Sequence, residues 1–270
     1  MFRFTLVISF FLLNTPLHCL ALKNVIYIYD GPGASNESVQ QTFSTIETYA
    51  SPPQVVKLIG PQQIIQGDWV DDAILLVMPG GADLPYCEKL NNKGNEKIIS
   101  YVRNGGSYLG ICAGAYYGSH TIEFAEGTPM EIIGERELGF FPGLAIGPVL
   151  ATYDYQSNSG VRAATISQEN LPNINVYYNG GGYFSHPEQF DNVRIVSSYA
   201  SEIAPRAAVI MSNIGKGRAI LSGVHFEYDP NLLDPQDPYV STVLPSLEDT
   251  QGGRIKYVKY ILGLLGVFTN

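Results

Sequence analysis

Two apolar runs that end in glycine turns constrain this chain most. Ala73 to Met78 is wholly apolar and stops at Pro79-Gly80-Gly81, and Ser107 to Ile111 rises directly into Cys112-Ala113-Gly114. A continuous apolar run of this length fits a strand covered on both faces. Between the two, Asn95 to Val102 has helical spacing and closes at Asn104-Gly105-Gly106. The same alternation runs ahead of them. Asn24 to Tyr29 reads as a strand entering the turn Asp30-Gly31-Pro32-Gly33, Ser35 precedes one helical face carrying Val39, Phe43, Ile46 and Ala50, and Val55 to Ile59 is a second strand. Strand and helix in alternation predict an α/β fold with a parallel sheet wrapped by helices. Ligand sites in such sheets gather at the carboxyl ends of the strands, where both glycine turns lie.

From Met130 onward the pattern changes to short strand-like pieces, around Leu144 to Thr152, Arg162 to Ser167, Val176 to Tyr178 and Val193 to Ser198. These read as antiparallel additions or an extension of the sheet. Ala207 to Met211 and Ala219 to Ser222 form a hairpin around Gly215-Lys216-Gly217, and Arg254 to Leu265 is a final amphipathic helix. At 270 residues, 45% hydrophobic and 15% charged, the chain can bury one large core, and residues 22–270 are read as a single domain. A formal net charge of −9 without a basic cluster argues against nucleic acid and against anionic membranes as partners.

Residues 1–21 read as an export signal. Arg3 is the basic start, Phe4 to Leu13 the apolar stretch, and Cys19-Leu20-Ala21 puts small residues at the positions preceding a cut after Ala21. A buried first strand or a retained anchor is the alternative, though Asn14 and Pro16 break the stretch. On this reading the mature chain is periplasmic or secreted, is free of the membrane after cleavage, and keeps two thiols, Cys87 and Cys112. An oxidising compartment invites a disulfide between them, but spacing cannot establish a pair, and Cys87 as a small apolar residue in a loop or helix start is the favoured reading. His120, His186 and His225 have no Cys or His partners at ligand spacing, so no metal site and no cofactor is expected.

The chemistry points to Cys112. A cysteine between Gly110 and Gly114 at a strand-to-helix turn is held in a strained conformation with its sulfur aimed into a cleft. A thiol with a reference pKa of about 8.5 needs a base or cation nearby to act as a nucleophile. His225 can supply it, and Glu227, two residues on and facing the same side of an extended segment, can orient the imidazole. The Pro79-Gly80-Gly81 turn and Ala113 offer backbone N–H groups for an oxyanion. Inert packing is the alternative for Cys112, and a satisfied core or surface residue for His225. Asp83, Tyr86, Tyr116 and Tyr117 follow the two turns and are candidate substrate contacts, against turn capping for Asp83 and plain packing for the tyrosines. Tyr177 to Phe184, with Gly180-Gly181-Gly182 at its centre, reads as a pocket wall in which Gly181 lets the backbone approach a ligand, or as a mobile hairpin tip.

Val77-Met78-Pro79-Gly80-Gly81, Gly110-Ile111-Cys112-Ala113-Gly114 and Gly223-Val224-His225-Phe226-Glu227 together resemble the ordered motifs of the class I glutamine amidotransferase-like superfamily. Closer still, Pro79 to Tyr86 followed by Gly110 to Tyr117 is similar to the biotin-protein ligase N-terminal domain family, with the resemblance running roughly from Asn24 to Leu265. It implies a three-layer α/β/α sandwich of flavodoxin-like type, its mostly parallel sheet carrying antiparallel additions. It also implies Cys112 as nucleophile, His225 as base, Glu227 as orienter and Gly81 and Ala113 as oxyanion donors. Such enzymes attack a carboxamide, release ammonia and hydrolyse the resulting thioester. Two positions depart from the pattern: Tyr116 stands where glutamine-using members carry Gln, and Phe226 stands where Pro is frequent. A phenol in place of an amide changes the hydrogen bonding and the volume of the pocket, which makes glutamine a doubtful substrate. Two functions follow as expectations. One is an exported cysteine-dependent amide hydrolase or amidotransferase-like enzyme acting on a small-molecule or peptide-like amide, and the other is a non-catalytic ligand-binding domain on the same fold. The oligomeric state is left open.

Overall fold

The computed structural model describes residues 23–169, 171–200 and 206–270. Residues 1–21, expected to be the export signal, lie outside the described residues. The chain opens with β1 (Val25–Tyr29), α1 (Asn36–Tyr49), β2 (Val55–Ile59), α2 (Pro61–Gln66), β3 (Ala73–Met78), α3 (Asp83–Leu90), α4 (Lys93–Arg103), β4 (Ser107–Ile111) and α5 (Ala113–Gly118). Ser35 caps α1 by accepting from the Ser38 N–H at 3.1 Å, as an N-cap serine should. There follow β5 (Ser119–Phe124), β6 (Ile132–Glu135), β7 (Phe141–Gly147), β8 (Arg162–Gln168), β9 (Leu171–Tyr178), β10 (Tyr183–Phe184), β11 (Val193–Tyr199), β12 (Arg206–Ile214) and β13 (Gly217–Ser222), then α6 (Val240–Asp249) and α7 (Gln251–Leu264).

The strand order β2-β1-β3-β4-β13 is parallel throughout, with β13 returning beside β4. Beyond β13 the sheet turns antiparallel through β12, β10 and β7, while β11, β8 and β9 branch from β12. Alternation along the central strands builds two cores. Tyr108, Ala219 and Leu221 face a core completed by α2 to α5, whereas Leu109, Ile111 and Ile220 face one completed by α1 and α7. The expected three-layer α/β/α sandwich, a flavodoxin-like parallel sheet with antiparallel additions, is the fold observed. In the parallel half, β2 is the edge strand, and its Val55 and Leu58 are exposed.

The strands and helices anticipated from periodicity are present, β2, β3 and β4 with the expected ends and others with shifted ones. Leu144 to Thr152 is shorter than expected because the strand ends at Gly147, and Pro148 has no N–H for the ladder. Among the elements without a sequence signal are the short α2 and β10, β5 and β6, whose residues mix exposure along the strand, α3, which hides in the turn-like Asp83-Leu84-Pro85, and α6, which contains Pro245.

Candidate active site

Cys112 joins β4 to α5 as the helix N-cap at φ 50° and ψ −106°, a backbone conformation that residues other than glycine rarely adopt. The strain is held by packing: a Cβ on Gly114 would stand 2.0 Å from the Met78 carbonyl oxygen, so only glycine lets α5 settle against the end of β3. Cys112 is 8% exposed, and its Sγ lies 3.7 Å from the Asn179 carbonyl oxygen. Among the described residues Cys87, on α3, is unpaired like Cys112, so the two form no disulfide with each other, and burial pushes the Cys87 thiol up to about 11.

His225 follows β13 and is fixed by its own N–H, which donates to the Tyr177 carbonyl at 2.8 Å. Its Nδ1 meets Glu227 Oε1 at 2.7 Å with both side chains buried. The imidazole fits close against the Gly80 turn, where an added Cβ would stand 2.6 Å from His225 Cε1. Burial alone would lower the imidazole pKa, but the Glu227 carboxylate and the Cys112 thiol outweigh it, and the result is pushed up to about 10. The Glu227 carboxylate thus favours the protonated form of the ring.

The Glu227 backbone is held from two sides. Its carbonyl accepts the Thr45 hydroxyl at 2.6 Å, and Arg254 Nη1 donates to the preceding Phe226 carbonyl at 3.1 Å. Tyr228 stacks on Tyr177 at 4.4 Å between centroids and tilts over His225 at 4.7 Å, which walls the imidazole from solvent. Thr45, Tyr228 and Arg254 carried no sequence signal for this role, since each reads as an ordinary helix or loop residue. Arg254, expected at the start of the final amphipathic helix, is 1% exposed.

Gly81, Ala113, Asp83 and Tyr116 converge with Cys112 on one cavity of about 20 Å³. Among the described residues, neither the Gly81 nor the Ala113 N–H donates to a protein acceptor, so both remain free for a ligand oxygen. Asp83 accepts from Arg136 Nε at 2.7 Å through Oδ2. The Tyr116 hydroxyl donates to the Gly180 carbonyl at 3.2 Å, so the phenol is a cavity wall already engaged with the protein. Three residues expected to contact substrate do not reach the cavity. Tyr86 and Tyr117 are fully buried, their hydroxyls donating to the Pro79 carbonyl and to Asn95 Oδ1, and Gly181 is packed against Gly223 with its carbonyl accepting the Tyr178 hydroxyl. The pocket-wall reading of Tyr177 to Phe184 applies instead to Asn179 and Gly180. Tyr153 and Tyr155 complete the wall, and the pair of tyrosines in an otherwise polar loop was the available clue.

Residues 24–270 match the family described as Biotin-protein ligase, N terminal. A biotin--protein ligase of Schizosaccharomyces pombe is 34% identical over 251 residues, covering 90% of this chain and 38% of that protein. The chain thus spans well under half of that relative. An uncharacterized protein of Chlamydia muridarum is 35% identical over 241 residues, covering 88% of this chain and 93% of that protein. Among solved structures, a glutamine amidotransferase superposes with a TM-score of 0.55 at 14% identity, covering 90% of this chain and 99% of its own. A glutamine amidotransferase from Thermotoga maritima does so at 0.52 and 11%, covering 90% and 98%. At these identities the likeness concerns the fold.

Proposed function

The chain belongs to the biotin-protein ligase N-terminal family, and from that premise we propose that it is an exported cysteine-dependent amide hydrolase with an amidotransferase-like site. Cys112 is its nucleophile, His225 the proton carrier and Glu227 the orienter. The carrying observation is the 2.7 Å contact between His225 and Glu227 beside a thiol held at a strained turn. In the first half-reaction the Cys112 thiolate adds to the amide carbonyl, and the Gly81 and Ala113 N–H groups take the oxyanion. The C–N bond then breaks as His225 gives its proton to the leaving nitrogen. In the second, His225 takes a proton from water, the hydroxide attacks the thioester, and the C–S bond breaks to release the acid and restore the thiolate beside a protonated His225. Export rests on the sequence of residues 1–21.

One observation favours the second reading, a ligand-binding domain without turnover: the cavity beside the sulfur, about 20 Å³, holds little more than one water-sized group. Labelling with an electrophilic thiol reagent across pH separates the two, with Cys112→Ser and His225→Ala as controls and Cys87 as internal reference. An enzyme labels fastest at Cys112 and slows when His225 is removed. A Cys112 rate like that of a free thiol and indifferent to His225 selects the binding domain.

A further inference from the structure

The cavity at Cys112 does not end at its wall. Tyr153, Tyr155 and Asn179 line it and also line a larger groove of about 410 Å³, which runs on past Asp154, Asn158 and Asp237. The volume is in the range of small-ligand sites, so the groove can hold the body of a substrate whose reacting group enters the small cavity. The charges along this path have one sign. Asp83 stands inside, and Asp154 and Asp237 stand outside, their carboxylates held below the usual range by the Gln156 and Val240 N–H groups respectively. Among the described residues lining cavity and groove there is no Lys or Arg.

Asp83 is the informative member. It is 6% exposed, its Oδ2 accepts from Arg136, and its Oδ1 is neither hydrogen-bonded among the described residues nor sealed from the cavity. Arg136 cannot serve a substrate anion in its place, because its Nη2 is sealed in the protein without a partner. The arrangement presents one oxygen of a buried, clamped carboxylate to the ligand and keeps the cation behind it. A carboxylate-bearing substrate entering here would lose its hydration with no lining Lys or Arg to meet it, whereas an ammonium or a donor-rich N–H group would find Asp83 beside the rings of Tyr153 and Tyr155.

We propose that the site takes an amide that carries a protonated amine and no free carboxylate, with Asp83 as the specificity-determining residue and the Tyr153–Tyr155 passage as its aromatic wall. Free amino acids such as glutamine are thereby disfavoured through their α-carboxylate. The inference rests on the reading of Cys112 as the nucleophile.

The test uses matched charged thiol reagents, 2-aminoethyl and 2-sulfonatoethyl methanethiosulfonate, with neutral iodoacetamide for comparison. Rates at Cys112 are read by peptide mass spectrometry and divided by the rates with free glutathione. The full chain is expected to favour the cationic over the anionic reagent by roughly tenfold or more at low salt, and to lose much of that ratio at high salt. Asp83→Asn is expected to bring the ratio toward unity. Because that change breaks the pair with Arg136, Asp237→Asn provides a second variant at the exposed rim, with an expected two- to threefold decrease. A ratio near unity, or one favouring the anion, in the unmodified chain overturns the inference. Iodoacetamide labelling that does not depend on His225 instead overturns the nucleophile reading, so the two failures are distinguishable.

Discussion

The parallel and antiparallel halves of the sheet divide the work of the site. The parallel half, β1 to β4 with β13, positions every group proposed to do chemistry: Gly81 after β3, Cys112 after β4, and His225 and Glu227 after β13. Its geometry is fixed by buried backbone contacts such as Gly114 on Met78 and by fully covered strands. The antiparallel half and its loops contribute walls instead, Phe124 at the end of β5, Tyr153 and Tyr155 before β8, and Asn179 and Gly180 after β9. A parallel sheet delivers several strand ends to one edge, so it can converge distant residues on one atom. Hairpins and loops bring contiguous segments, which suit a wall that varies in shape and charge.

That division can be broken most directly at His225. His225→Ala is expected to slow thiol labelling at Cys112 by about 100-fold at neutral pH, the scale of a lost proton carrier, while no wall residue should approach that loss. The same residue has a pH signature. Its folded pKa, about 10, lies above the unfolded value of 6.5, so its stabilising contribution is full below pH 6.5 and is lost as pH rises toward 10. Denaturant midpoints measured from pH 6 to 10 should fall in the parent more steeply than in His225→Gln, and parallel curves would remove the imidazolium from the account.

Gly181→Ala probes the seam between the halves, where an added Cβ would stand 1.7 Å from the Gly223 carbonyl oxygen. A cost of about 1–3 kcal/mol in chemical denaturation is expected, together with slower labelling as the wall shifts. Tyr117→Phe removes only the hydroxyl that meets Asn95, and about 1 kcal/mol should be lost with little change at the thiol. Tyr155→Ala, at a residue that is 47% exposed, should change stability by under about 0.5 kcal/mol yet alter the relative rates of large and small thiol reagents. If Tyr155→Ala destabilised the fold while leaving reagent selectivity intact, the wall assignment would fail.

The central strands were legible because buried parallel strands are written as uninterrupted apolar runs, and Ala73 to Met78 and Ser107 to Ile111 match their sequence bounds. The glycines around Cys112 announced the strained turn for a similar reason, since few other residues tolerate such contacts. Tyr86 and Tyr117 misled because a tyrosine beside a reactive turn looks the same in sequence whether its ring faces a ligand or a core. Here their hydroxyls found buried acceptors in Pro79 and Asn95. Asp83 was singled out beside its turn, but its partner Arg136 lies 53 positions away, and nothing local connects them.

By itself, the amino-acid order determined the alternation of strands and helices, the turns that end them and the residue types able to carry a thiol-based reaction, because these depend on neighbours a few positions apart. Tertiary structure alone decided that Cys112 meets His225 across the sheet, which tyrosines are core and which are wall, and that acids rather than cations line the way in. Those outcomes depend on which strand ends and loops share an edge, and packing between distant segments sets that juxtaposition.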